Sequence, residues 1–131
     1  MNTLNGKIVK IATSGEIGQV YIDVNGEILT SILLDVNTFG VTLNDEVKLL
    51  FKANEVMIAT KESQVSAKNA FVGKINKINK GLILSEVTME FQNSFIKSII
   101  TTASLETLNI KENSSFLWFV KANEVTLQKE N

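Results

Sequence analysis

The chain has 131 residues, of which 44% are hydrophobic, so it is long and apolar enough to form one ordinary domain or two very small ones. Its 13 basic and 14 acidic residues give a net charge of −1, which provides no overall positive field for a nucleic acid backbone or an anionic membrane. Cysteine and histidine are both absent, which excludes disulfides, Cys/His zinc sites, thiol nucleophiles and every catalytic triad that needs an imidazole.

The N-terminal segment 1–6 has neither a basic n-region nor a long apolar h-region. No apolar run approaches the roughly 20 residues that a membrane-spanning helix needs. The sequence therefore predicts a cytoplasmic protein without a membrane partner.

The first half of the chain has the pattern of short β-strands, with β-branched and aromatic residues in runs separated by turn formers. Segments 20–24 and 27–33 flank the pair Asn25-Gly26, which suits a type I′ turn and predicts a β-hairpin. The polar segment 59–64 has no apolar period and is predicted to be a linker.

The second half repeats this pattern. Segments 84–91 and 95–100, joined by a turn near 92–94, predict a second hairpin. Segment 102–108 carries the only convincing helix signal, a short turn with a Thr or Ser available as N-cap. Segment 116–120 is apolar on both faces, which predicts a strand buried in a sheet or under a partner.

Four pairs of segments match in the same order along the chain: 6–8 with 73–75, 30–33 with 97–100, 40–45 with 109–114, and 52–56 with 121–125. The first pair is Gly-Lys-Ile both times, and the last is Lys-Ala-Asn-Glu-Val both times. Chance does not account for identities of this length in register. The chain is therefore interpreted as two tandem units, residues 1–60 and 61–131.

Each unit has roughly five strands and a short helix before the fourth or fifth strand, which favours an all-β fold of two OB-like Greek-key β-barrels. A unit of about 65 residues buries only about 60% of its unfolded surface and is marginal alone. We therefore expect the halves to pack on each other or to exchange strands. The apolar segment 116–120 also predicts a homo-oligomer.

Small polar donors lie beside a cation where the second unit begins, at Ser66, Lys68 and Asn69. A dianion loses a large solvation energy on leaving water, so hydroxyls, backbone N–H groups and an ammonium must replace its water contacts. A helix that starts near Thr102 would add aligned N–H groups. The segment is predicted to be an anion-binding turn, although the motif alone is more typical of an ordinary polar turn.

Several separated pieces of the second half together resemble the Mop or TOBE domain: Ser-Ala-Lys-Asn at 66–69, Phe-Val-Gly-Lys-Ile at 71–75, Ile-Thr-Thr at 100–102, and Lys-Ala-Asn-Glu-Val at 121–125. The usual opening of that family is Ser-Ala-Arg-Asn, from which Lys68 departs conservatively. The whole tandem is similar to a di-Mop molbindin or to the molybdate-binding region of the molybdate-responsive transcriptional regulator.

The resemblance implies that molybdate or tungstate binds as an oxyanion at interfaces between Mop units, without direct metal-cation ligands. The implied binding residues are Ser66, Ala67, Lys68, Asn69, Thr101, Thr102, Ser104, Lys121, Ala122, Lys52 and Ala53. A trimer is the favoured homo-oligomer and a dimer is the alternative.

The first half departs from the family pattern in two places. Alignment of the Gly-Lys-Ile motifs puts Asn2 opposite Asn69, so nothing corresponds to the Ser-Ala-Lys opening. The loop at 34–36 is shorter and contains Asp35, whose carboxylate would repel a dianion. We therefore expect fewer complete sites than in a symmetric tandem.

Simpler interpretations remain open for three groups of residues. Lys52 and Lys121 could be solvated lysines on edge strands. Trp118 and its aromatic neighbours could stack on single-stranded nucleic acid, although core or interface packing is favoured. Glu55 and Glu124 could be an acid/base pair or metal ligands, although a surface or interface position is favoured.

The predicted function is oxyanion binding for storage, homeostasis or sensing, and not catalysis. One alternative is the effector region of a transcriptional regulator or transporter ATPase, although the chain shows neither a helix-turn-helix nor a Gly-rich phosphate loop. The other is an OB-type nucleic-acid-binding module, which the nearly neutral charge disfavours.

Overall fold

The computed structural model describes residues 1–130, which form ten β-strands in two five-stranded sheets. The elements of the first half are β1 (Asn2–Ser14), β2 (Ile17–Val24), β3 (Glu27–Leu33), α1 (Val36–Phe39), β4 (Glu46–Phe51), a 3₁₀ turn (Ala53–Glu55) and β5 (Met57–Ala59). Those of the second half are β6 (Asn69–Lys80), β7 (Leu84–Phe91), β8 (Ser94–Thr101), α2 (Thr102–Thr107), β9 (Ser115–Val120), a 3₁₀ turn (Ala122–Glu124) and β10 (Thr126–Lys129). The all-β prediction is confirmed.

Both predicted hairpins form. Asn25 and Gly26 have φ values of 51° and 97°, as a type I′ turn requires, and they join β2 to β3. In the second hairpin Gln92 has a φ of 53°, and Phe91 pairs with Ser94. Buried residues alternate with half-buried or exposed residues along β2 and β7, so each hairpin presents one apolar face to the core.

The repeated Gly-Lys-Ile motif occupies equivalent places in β1 and β6. A Cβ added to Gly6 or Gly73 would lie 2.7 Å from the carbonyl oxygen of Asp23 or Glu90, respectively, on the neighbouring strand. The close approach of the strands therefore requires glycine at both places. A β-bulge follows each motif, at the register shifts between Ile8 and Lys10 and between Ile75 and Lys77.

The prediction of a single short helix was incomplete. The predicted helix is present as α2, but the first half also contains the single turn α1. Its sequence, Val-Asn-Thr-Phe, has low helix propensity and is too short to show a helical period. Gly40 ends the turn in the left-handed region, with a φ of 73°, and donates its N–H to the carbonyl of Val36.

The two halves exchange their closing strands. The strand order is β10-β4-β1-β2-β3 in one sheet and β5-β9-β6-β7-β8 in the other. Thus β5 leaves the first half to pair with β9, and β10 leaves the second half to pair with β4. The sequence predicted that the halves either pack on each other or exchange strands, and the structure shows the exchange.

Two buried asparagines fasten each half to a strand of the other. The side-chain amide of Asn69 donates to the carbonyl of Thr30 (2.9 Å), and its Oδ1 accepts from the Thr30 N–H (2.7 Å). Asn2 makes the same pair of bonds with the backbone of Lys97, at 2.9 and 2.8 Å. These equivalent contacts relate the halves by an approximate two-fold symmetry.

Two buried serines extend this symmetry to the closing turns. The hydroxyl of Ser31 on β3 donates to the carbonyl of Val125, and that of Ser98 on β8 donates to the carbonyl of Val56, both at 2.6 Å. Each 3₁₀ turn is therefore held against the opposite half.

The core contains Trp118, which is fully buried. Phe51 from the first half stacks on it, with ring centroids 6.1 Å apart, and Phe71 and Phe91 pack on it from the second half. The core interpretation of Trp118 is thereby confirmed, and it is not a platform for nucleic acid bases. No helix within residues 1–130 has the length and apolar character that crossing a bilayer demands.

We predict that Asn69→Ala lowers the free energy of unfolding by about 3 kcal/mol, because it leaves the buried N–H and C=O of Thr30 without partners. Urea unfolding followed by Trp118 fluorescence measures this loss. The control is Asn79→Ala, at an exposed position on the same strand, which should stay within about 0.5 kcal/mol of wild type. Equal losses in the two variants would contradict the structural role of Asn69.

Candidate anion-binding site

A cavity of about 310 Å³ lies where the second unit begins and where β9 ends. Its lining residues come from both 3₁₀ turns, β5, β9 and the segment before β6: Glu55, Met57, Val65, Ser66, Ala67, Phe119, Val120, Lys121 and Glu124. The exchange of β5 is what adds residues of the first half to this cavity.

Three residues predicted to bind the oxyanion meet here. Asn69 pairs with Val120 in the antiparallel ladder of β6 and β9. The residues just before β6 therefore lie beside those just after β9, which brings Ser66 and Ala67 next to Lys121. Ser66 and Lys121 are exposed and provide a hydroxyl and an ammonium, both hydrogen-bond donors.

Two acidic residues that the sequence did not assign to the site also line the cavity. Glu55 and Glu124 are the last residues of the two 3₁₀ turns, and both are half-buried. The backbone N–H of Lys52 donates to Oε1 of Glu55 at 3.3 Å. The repeated Lys-Ala-Asn-Glu-Val motif was the available signal, but it did not show that the two copies would meet.

The carboxyl group of Glu124 ionises less readily than that of an ordinary glutamate. Partial burial, a hydrogen bond with Glu55 and repulsion from its charge raise the pKa of Glu124, whereas Lys121 opposes the shift. A hydrogen bond between two carboxyl groups needs one proton. Glu124 is therefore a potential proton donor inside the cavity.

Ser104 lines a different cavity of about 380 Å³. The lining of this second cavity is mostly apolar and consists of Asn54, Val56, Met57, Ile58, Ile99, Ile100, Ser104, Thr107 and Leu108. Met57 belongs to both cavities, so they are neighbours.

The threonines at the start of α2 make hydrogen bonds within the chain. The Thr101 hydroxyl accepts from the Ser104 N–H (3.1 Å) and donates to the Ser104 Oγ (2.9 Å), as an N-cap does. Thr102 is buried: its hydroxyl donates to the Gly81 carbonyl at 2.8 Å and lies 2.7 Å from the Ser85 hydroxyl. In this chain these groups stabilise α2 and its junction with β7.

The remaining predicted residues lie outside the linings of both cavities. The side chain of Asn69 is occupied by the Thr30 backbone. Lys68 and Lys52 are exposed, and Ala53 and Ala122 are half-buried at the starts of the two 3₁₀ turns. Within residues 1–130 there is no cluster of three or more acidic, cysteine or histidine side chains suited to a metal cation.

The fold and this cavity define the class: a tandem of OB-like barrels with exchanged closing strands and, at their junction, a cavity that carries a hydroxyl, an ammonium and two carboxyl groups. The crystal structure of the cytoplasmic molybdate-binding protein ModG, in a form with molybdate bound, matches with a TM-score of 0.89. The match covers 96% of this chain and 94% of that one at 24% identity. The likeness establishes the tandem OB-like fold.

Sequence comparison identifies the family. No family model matches the chain. Molybdenum-pterin-binding protein 3 of Clostridium pasteurianum is 33% identical over 64 residues, which are 48% of this chain and 94% of that protein. Proteins 1 and 2 of the same organism are each 34% identical over 64 residues. The chain belongs to the family of the molybdenum-pterin-binding proteins.

We predict that Glu124 makes stability fall with rising pH. The pKa of Glu124 is raised in the folded protein, so the stabilisation of the fold by its carboxyl group is fully present below the ordinary glutamate pKa. This stabilisation is lost as the pH rises through the raised value. Glu124→Gln should remove this loss. The pH-dependent difference in unfolding free energy between wild type and Glu124→Gln should be below about 1 kcal/mol, because solvent screens half-exposed charges.

Thermal or urea unfolding of wild type and Glu124→Gln, from below the ordinary glutamate pKa up to neutral pH, measures this loss of stability. Glu62→Gln, at an exposed position in the linker, is the control and should follow wild type. Parallel pH profiles for wild type and Glu124→Gln would refute the prediction.

Proposed function

We propose that this protein is a cytoplasmic binding protein for molybdate, and for tungstate of the same charge and shape, that serves storage, homeostasis or sensing and is not an enzyme. The observation that carries the proposal is the cavity that joins Ser66, Ala67 and Lys121 in a chain of the molybdenum-pterin-binding family. The similar proteins of Clostridium pasteurianum are molybdenum-pterin-binding proteins, and ModG binds molybdate on the same fold.

The chemistry of the cavity suits a tetrahedral oxyanion. Lys121 offers a charge-assisted hydrogen bond, which is roughly twice as strong as a neutral one, and Ser66 offers a hydroxyl. Segment 65–67 precedes β6 and belongs to no strand or helix, so its backbone is not committed to a ladder. Binding needs hydrogen-bond donors of this kind and no group that performs a reaction.

A single chain provides an incomplete site. The cavity holds one cation and two carboxyl groups, and a dianion beside two ionised carboxylates would be repelled. The donors of Thr101 and Thr102 are used within the chain. We infer that a second copy completes the site, with the exposed Lys52 and Lys68 as cations available for it.

Lys121→Ala is predicted to weaken molybdate binding about 10- to 100-fold, since a hydrogen bond to a charged group contributes about 1.5–3 kcal/mol. Isothermal titration of ligand-free protein with molybdate, tungstate, sulfate and phosphate measures the affinities. Lys77→Ala, on an exposed residue towards the other end of β6, is the matched control and should bind like wild type. Absence of molybdate binding to wild type, or equal binding of sulfate, would refute the proposed function.

Light scattering should give a homo-oligomer, with a trimer of three 14.5 kDa chains as the favoured mass and a dimer as the alternative. Because the first half lacks the Ser-Ala-Lys opening, we expect fewer complete sites than barrels, so the stoichiometry should lie below one anion per barrel unit. A monomer that binds molybdate with full affinity would refute the need for a second copy.

A further inference from the structure

The approximate two-fold symmetry brings two acidic side chains to one cavity. Glu55 and Glu124 end equivalent 3₁₀ turns, and Ser98 and Ser31 tie those turns to the opposite halves. Both carboxyl groups line the cavity that contains Ser66 and Lys121. Their position is therefore a consequence of the exchanged fold and not of a mobile loop.

All charged residues that line the cavity come from the two 3₁₀ turns and the residue before the second turn. The first 3₁₀ turn contributes Glu55, and the second turn with its preceding residue contributes Glu124 and Lys121. The lining residues from β5, β9 and segment 65–67 are uncharged: Met57, Phe119, Val120, Val65, Ser66 and Ala67. With both glutamates ionised the lining carries a net charge of −1, and with one proton on the pair it is neutral.

The geometry points to a proton-linked anion site: we propose that Glu55 and Glu124 together hold one proton when an oxyanion dianion occupies the cavity, so that anion and proton bind together. This inference rests on the proposed function and adds its regulation. The proton comes from solvent, lies on one of the two carboxyl groups, and leaves when the anion leaves.

The physical reason is the cost of like charges at short range. A second ionised carboxylate raises the energy of the bound dianion, whereas a protonated carboxyl group can donate a hydrogen bond to an anion oxygen. Partial burial and the neighbouring Glu55 raise the pKa of Glu124 above its ordinary value. An added dianion raises it further, because a nearby negative charge always disfavours ionisation of a carboxyl group.

The linkage has a definite sign. Between about pH 6 and about pH 8.5, molybdate affinity of wild type should fall as the pH rises, approaching tenfold per unit where one full proton is taken up. Glu124→Gln keeps a hydrogen-bonding side chain but cannot ionise. Its affinity should vary little with pH and should equal or exceed that of wild type at the alkaline end.

The experiment is calorimetric titration of the full chain with sodium molybdate in buffers of different ionisation enthalpy, which counts the protons taken up per anion. Wild type should take up close to one proton at the alkaline end. Glu124→Gln and Glu55→Gln should take up close to none. Glu106→Gln, on the exposed side of α2 and outside this cavity, is the control and should match wild type.

A second readout does not depend on affinity. NMR titration of the glutamate side-chain carbons should show the pair ionising at higher pH when molybdate is bound. Trp118 fluorescence verifies that each variant is folded. Molybdate binding to wild type without proton uptake would overturn this inference alone, whereas no binding at any pH would overturn the proposed function together with it.

Discussion

The exchange of β5 and β10 between the two sheets is the constraint on which the rest of the structure depends. A barrel of about 65 residues buries too little surface to be robust alone. Here neither sheet has five strands without the other half, and the buried amides of Asn2 and Asn69 each join the two halves by a pair of hydrogen bonds. Phe51 stacks on Trp118 across the same junction. The two halves are therefore packed together as one structural unit.

The exchange also creates the candidate site. Since β5 crosses into the second sheet, Met57 pairs with Phe119, and Glu55 lies just before that strand. The ladder of β6 and β9 independently brings Ser66 beside Lys121. The cavity is the point where these two pairings meet, so an anion bound there would contact residues distant in the sequence but fixed by neighbouring ladders. This rigidity suits recognition of a small ligand of fixed shape.

Local patterns predicted the local elements, because their causes are local. Asn25-Gly26 specifies its turn through positive φ angles, and Thr101 caps α2 through its own hydroxyl. The partner of each closing strand could not be predicted in this way. In a tandem repeat, the two halves offer equivalent partner strands to β5 and β10. The alternation of buried and exposed residues along each closing strand is the same with either partner.

The same limit explains the differences within the site. Asn69 and Thr102 have the residue types of anion donors, but their burial against Thr30 and Ser85 depends on tertiary contacts. The repeat indicated that Glu55 and Glu124 were equivalent without indicating that they meet. Equivalent residues close to an approximate two-fold axis carry the same charge, so the symmetry that stabilises the fold also brings like charges together. In this chain Lys121 and a proton can offset that repulsion. The net charge of the cavity lining that a ligand meets then depends on whether the carboxyl pair holds a proton.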